Sequence, residues 1–258
     1  MKWSPGLKML GLLLCAGAAL GHPMGNFSVG QHATLLPGRD GLAMRYVLDF
    51  AEMPTYNLRP EMGVAPADAI TQAHVEAERE RAGAAWLGRL AVTLDGRAVA
   101  LAASGGRAVL TPGAGGLPTV RFELEARGAW PVAADGAHEL GYSDANFPDR
   151  VGWKEVVVRA GDGARLLSAT APVTDRTAGL TRYPDEAAQA PMAVREARAR
   201  VLFEAPRRDP RVAPAGEGGA GSAVPAPPEP LPARSPVLLA VLVMAVLAAG
   251  GVIAARRA

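Results

Sequence analysis

Apolar and polar residues alternate with a period of two over many short stretches of the chain. Phe27, Val29 and Ala33 to Leu36 run into the turn formers Pro37-Gly-Arg-Asp-Gly41. Beyond them Leu42, Met44, Tyr46, Leu48 and Phe50 alternate with Arg45 and Asp49. Alternation on both sides of a Gly/Pro/Asp cluster predicts a hairpin. The turn stretch is too long to fix the register, so the side taken by His32 stays open. Leu90, Val92 and Leu94 lead to Asp95-Gly96, a short-hairpin signal, and Val99 and Leu101 return. A Gly-rich break at 105–118 precedes the cleanest strand. There Val120, Phe122, Leu124 and Ala126 share one face and Arg121, Glu123, Glu125 and Arg127 the other, which predicts one buried and one wet face. Further strands are predicted at 138–143, 154–159, 165–171 and 198–203.

Between residues 68 and 87 the period changes. Asp68 is placed to cap a helix with an inward stripe of Ile70, Ala73, His74, Ala77, Arg81, Ala84 and Ala85, and with Glu76, Glu78 and Glu80 largely elsewhere. Seven or more short strands with one interposed helix predict a mostly β fold, an immunoglobulin-like β-sandwich, over residues 22–205.

The ends read differently. Lys2 and Lys8 precede the apolar run Met9 to Leu20, and Ala19-Leu-Gly21 supplies small residues for cleavage. Residues 1–21 thus read as a signal peptide, with a retained N-terminal anchor as the alternative. Residues 206–236 are dominated by Pro, Gly and Ala and read as a linker. Residues 237–255 carry no charge; at about 1.5 Å per residue they just cross a hydrocarbon core of roughly 30 Å. They are the expected transmembrane helix. Arg256-Arg257 assigns the 256–258 tail to the cytoplasm. The expected placement is single-pass in the inner (cytoplasmic) membrane, with residues 22–205 periplasmic or extracellular.

Composition narrows the function classes. Lys and Arg number 27 against 25 Asp and Glu, a formal net charge of +2. No basic block is interleaved with aromatics, so no nucleic-acid partner is expected. The single cysteine, Cys15, lies in the leader, which leaves a mature chain without disulfides or thiol chemistry. The sequence holds no Gly-x-Ser-x-Gly elbow, phosphate loop, His-Glu-x-x-His or Cys-x-x-Cys, so no enzyme is expected.

Candidate chemistry centres on the mature start. Cleavage after Gly21 makes His22 a terminal residue that offers its imidazole and α-amine together. Pro23 has no amide hydrogen, so the terminal chelate that needs a deprotonated second nitrogen is excluded. What remains is a compact bidentate chelate that needs other ligands and strengthens as pH rises through neutrality. His32 is the nearest further nitrogen donor. Imidazole suits nickel, cobalt, copper and zinc alike. The plainer reading is that His22 is merely the first ordered residue, pinned by Pro23.

The stretch Tyr142 to Glu155 offers oxygens from Asp144, Asn146 and Asp149, but Pro148 at the fifth position and Asp149 in place of the glycine break the calcium-loop template. Asp and Asn before a Pro-containing turn are expected to bond their own backbone, and Phe147 and Trp153 to anchor the loop. This loop, with Asn26, is also the candidate surface for a partner. His74 and His138 read as packing residues.

Three ordered segments carry a family resemblance. His22-Pro-Met-Gly-Asn-Phe-Ser-Val29, Arg45-Tyr-Val-Leu-Asp-Phe-Ala-Glu-Met-Pro-Thr55 and Asp144-Ala-Asn-Phe-Pro-Asp-Arg-Val-Gly-Trp-Lys-Glu155 resemble the extracytoplasmic domain of bacterial nickel/cobalt permease-like proteins. The resemblance covers residues 22–205. It implies a nickel or cobalt ion and a polytopic metal permease as partner. Those permeases carry a His-x4-Asp-His motif in an early membrane helix, which none of the four histidines here fits. The expectation is a tethered external domain, accessory to or derived from a nickel/cobalt transport system, that handles or senses a divalent transition metal. Two alternatives stay open: a metal-free interaction module docking to a membrane partner, and, more distantly, a copper redox protein built on His22.

Overall fold

The hairpin predicted around residues 37–41 forms the middle of one sheet. In a computed structural model described over residues 22–132, 135–184 and 191–204, strand β1 (Val29–Gly38) pairs antiparallel with β2 (Gly41–Phe50), Gly38 opposite Gly41. The turn is only two residues long, so the register is tightly set. β2 pairs with β6 (Pro118–Gly128), and β6 with β5 (Ala102–Pro112), both antiparallel. On its other side β1 pairs in parallel with β8 (Lys154–Val158). The second sheet runs in the order β4 (Arg97–Ala98), β3 (Leu90–Leu94), β7 (Gly136–Asp144), β10 (Glu196–Phe203) and β9 (Ala164–Ala169). The described residues lie in the first of two units of the chain, residues 1–207 and 208–258.

The fold is therefore mostly β, built as two five-stranded sheets. Leu35, Met44, Tyr46, Leu48, Phe50, Phe122 and Leu124 from the first sheet share one buried cluster with Leu94, Leu140, Val201 and Phe203 from the second. The alternation predicted in β2, β6 and β10 is the pattern that fills this core. In β10, Ala199, Val201 and Phe203 are buried while Arg198 and Arg200 are exposed.

The structure departs from the sequence reading in four places. β5 continues through Gly105 and Gly106 to Pro112, where a break was predicted. Gly106 adopts φ +141°, and a Cβ there would collide with the Glu123 carbonyl, so these glycines allow close pairing with β6 instead of ending the strand. A short helix absent from the sequence reading, α1 (Glu52–Asn57), follows β2.

The longer helix, α2 (Gln72–Leu87), is capped by Thr71 and not by Asp68. The Thr71 side chain accepts from His74 N at 3.3 Å and His74 Nδ1 accepts from Thr71 N at 3.2 Å, a capping box with histidine in the usual Glu position. The predicted inward stripe is also wrong within the helix. Ala73, Ala77, Arg81, Ala84 and Ala85 are exposed, while Val75, Glu78, Ala82, Trp86 and Leu87 are buried. Alanines are too small to choose a face; Trp86, packed on Phe50 and Phe122, chooses it. Glu78 follows inward, held by the Arg81 guanidinium at 2.7 and 2.8 Å.

The predicted signal peptide, linker, membrane helix and tail lie outside the described residues. Among the described residues no helix is long and apolar enough to cross a membrane.

Candidate functional site

Strand register builds the site. In the parallel pair β1–β8, His32 stands opposite Glu155, and in β1–β2 it stands opposite Val47. Lateral neighbours share a face of the sheet, and Val47 belongs with Trp153 and Leu180 to a small cluster separate from the main core. His32 thus points away from the opposing sheet, under residues 175–183. Both His32 and Glu155 are buried. Asp175 completes the group, its Oδ1 lying 3.2 Å from His32 Nε2. One donor atom from each of His32, Glu155 and Asp175 lies within 4.8 Å of the other two.

The carboxylates are held in place. Glu155 Oε2 accepts from Trp153 Nε1 at 3.0 Å and from Thr177 Oγ1 at 2.8 Å, and Oε1 accepts from Arg176 N at 2.7 Å. Asp175 Oδ1 accepts from Thr177 N at 3.1 Å and Gly179 N at 3.0 Å. The covering segment is strained where it does this. Ala178 and Leu180 have φ of +49° and +65°, on either side of Gly179 at +65°, a conformation that costs non-glycine residues of the order of 1 kcal/mol each. Arg121 donates to the Gly179 carbonyl and ties this turn to β6.

The histidine is not satisfied in the same way. Neither ring nitrogen of His32 makes a hydrogen bond of acceptable geometry, although Nε2 is at ion-pair distance from Asp175. Burial lowers the His32 pKa below its ordinary value, and the opposing pull of Asp175 and Glu155 does not restore it. Burial pushes Asp175 the other way, but the Gly179 amide, the neighbouring His32 and the Thr177 amide outweigh that and hold the carboxyl below its usual range. The result is a neutral imidazole beside an ionised carboxylate. That is the protonation pattern a divalent cation requires of its ligands.

Metal bonds of about 2.0–2.2 Å place ligand atoms roughly 3–4 Å apart, so the three groups need only a small contraction to close on an ion. One imidazole and two carboxylates suit a divalent ion such as nickel, cobalt, zinc or copper(II); no thiolate stands among them to favour copper(I). Three protein ligands also leave a coordination position open, as in exchange-competent sites.

His22 enters a different cluster. Its Nε2 lies 2.9 Å from Asp49 Oδ2, while Nδ1 accepts from Met24 N at 3.2 Å and faces Ser28 Oγ at 3.0 Å. A terminal chelate through Nδ1 would have to displace these partners. Asp49 pairs with Gly30 across β1–β2, so the two clusters are neighbours on one face, yet His22 and His32 are not brought onto a shared ligand. His74 caps α2, and His138 lies 2.6 Å from Asp95 near the surface.

The 144–155 loop is fixed from inside. Asp144 Oδ1 accepts from Asn146 N at 2.7 Å, the predicted bond to local backbone, and Oδ2 accepts from Tyr46 OH at 2.8 Å. Burial raises the Asp144 pKa, against these hydrogen bonds and the Arg195 charge. Asn146 donates to Trp86 O at 2.9 Å, and Phe147 packs edge-on against Phe50 at 5.2 Å. Asp144, Asn146 and Trp153 are buried, whereas Asp149 and Asn26 are exposed.

The three segments that carry the family resemblance also meet. Met53 N donates to Asn26 O, Val29 N to Val151 O, and Tyr46 OH to Asp144 Oδ2. Compared with known proteins, the chain matches no family model and no curated protein. Asp175 and Glu155 were missed as candidate ligands because parallel pairing and a crossing loop, not sequence spacing, bring them to His32.

Proposed function

We propose that the chain is a membrane-tethered, extracytoplasmic β-sandwich of immunoglobulin-like type. It holds a divalent transition metal, nickel or cobalt by preference, for a transport system, and it is not an enzyme. The resemblance of residues 22–205 to the external domain of nickel/cobalt permease-like proteins gives the transport context. The observation that carries the metal reading is His32: a fully buried imidazole that faces two carboxylates, its Nδ1 without a partner and its Nε2 only in poorly aligned contact with Asp175 at 3.2 Å. A buried polar group left unpaired costs about 1–3 kcal/mol, and an ion bound between His32, Glu155 and Asp175 removes that cost. The open coordination position suits a cargo handed to a permease.

The test is calorimetric titration of the full mature chain (22–258) in detergent micelles with nickel, cobalt, copper and zinc. Binding lost in His32→Ala but kept when Gly-Ser precedes His22 supports the site. Binding lost with the Gly-Ser extension instead moves the metal to His22, and no binding at all overturns the reading.

A metal-free docking module is the second reading. Phe27 and Val151 are 62% and 65% exposed, and Val29 N donates to Val151 O beside them. An apolar partner surface at that end of the fold would account for both.

A further inference from the structure

Glu52, the first residue of α1, is completely buried. Its Oε1 accepts from Ala114 N at 2.8 Å and from His22 N at 3.3 Å. Its Oε2 is buried with no partner. Gly113 makes room for this carboxylate, since a Cβ there would stand 2.8 Å from Oε1. Among the described ion pairs no Lys or Arg side chain neutralises it. A carboxylate taken out of water without a counter-charge is costly by several kcal/mol.

Among the described residues, the only backbone nitrogen besides that of Ala114 to reach Glu52 belongs to His22, whose ring is held on both nitrogens. Asp49 takes its Nε2, Met24 N and Ser28 Oγ face its Nδ1, and Tyr183 stacks edge-on at 5.8 Å while donating to Asp49 at 2.7 Å. The side chain is held so that the main-chain nitrogen faces Glu52.

We propose that Glu52 is the binding site for the α-ammonium group of a chain cut between Gly21 and His22. Hydrolysis by a leader-removing protease adds one water across that peptide bond. The oxygen goes to the Gly21 carbonyl carbon, which leaves as a carboxylate, and the His22 nitrogen takes up protons to become an ammonium group. An amide has one N–H to offer; the ammonium has three and a full charge. It satisfies both Oε1 and the orphaned Oε2 through charge-assisted hydrogen bonds. Leader removal therefore completes the fold: the uncut chain keeps a lone buried carboxylate, and the cut chain closes it into an ion pair that latches the N-terminal segment to α1 and to the 113–114 turn.

The test uses metal-free full mature chain (22–258) in detergent micelles, released from a cleavable fusion with either His22 or Gly-Ser-His22 at its start. The expected result is a Tm lower by about 2–8 °C for the extended chain, and no difference between the two starts in the Glu52→Gln background. If Glu52→Gln does not fold, acetylation of the α-amine at neutral pH supplies the second measurement: it proceeds at least tenfold more slowly in the folded authentic chain than in the urea-unfolded one. Equal Tm values, an undiminished difference in Glu52→Gln, an unprotected amine, or a natural mature start other than His22 each overturn the proposal. Because no metal is present, these outcomes are independent of the His32 site.

Discussion

His32 and Glu155 stand side by side on the parallel strands β1 and β8, both buried, and only Glu155 has its hydrogen bonds made. Trp153, Arg176 N and Thr177 surround the carboxylate, while the imidazole is left with polar atoms it cannot use. A histidine kept only for packing would gain by being apolar. That asymmetry leads to a stability experiment.

Replacing His32 with Phe removes two buried nitrogens that make no hydrogen bond of good geometry. The metal-free protein is expected to be stabilised by about 1 kcal/mol, and metal binding is lost. Urea unfolding with a chelator present measures the first effect and calorimetry the second. Destabilisation of the metal-free protein would mark His32 as an ordinary structural residue.

Trp153 positions Glu155 through Nε1. Trp153→Phe keeps the ring in its cluster but removes the donor. Loss of such an outer partner typically weakens metal binding about 10–100-fold, so competition against a chelator of known affinity is expected to show a drop in that range. Unchanged affinity would place the ion elsewhere.

Glu123 is expected to contribute to the loss of stability in acid. Burial alone would raise its pKa, but Arg107, Arg45 and Arg121, at 3.2, 2.9 and 3.0 Å, override that and lower it from 4.5 to about 2. With the folded value depressed, its contribution is complete above the ordinary value and is lost as pH falls from 4.5 towards 2. Glu123→Gln is therefore expected to be less stable than the parent at pH 7 and to converge with it near the bottom of that window, read by unfolding at several pH values. A gap that persists unchanged at the acid end would refute this.

Thr71 and His74 cap α2 reciprocally. Thr71→Ala is expected to destabilise by about 1 kcal/mol, with Asp68→Ala leaving the helix start intact. Equal losses from both substitutions in thermal unfolding would restore Asp68 as the cap.

Alternation made the strands legible, because each half-buried strand of the two sheets shows its core face as every second residue: Val120 to Ala126 in β6 and Ala199 to Phe203 in β10 need no tertiary information. The helix face was illegible for a physical reason. With alanine spread around α2, the choice rests on Trp86 and on Glu78 being neutralised by Arg81, neither of which periodicity reveals. The same limit applies to the site. His32 and Glu155 sit 123 residues apart in sequence and meet only through parallel pairing. Asp175 arrives on a loop whose left-handed turn at 178–180 carries no strong sequence signal beyond Gly179. The Asp144–Asn146 turn was readable because Asx residues bond locally.

The most direct measurement is an anomalous difference map, collected at the cobalt edge, from crystals of the full mature chain grown with cobalt. The predicted result is one strong peak between His32, Glu155 and Asp175 that vanishes in His32→Phe. A peak at His22, or none at any histidine, would contradict it.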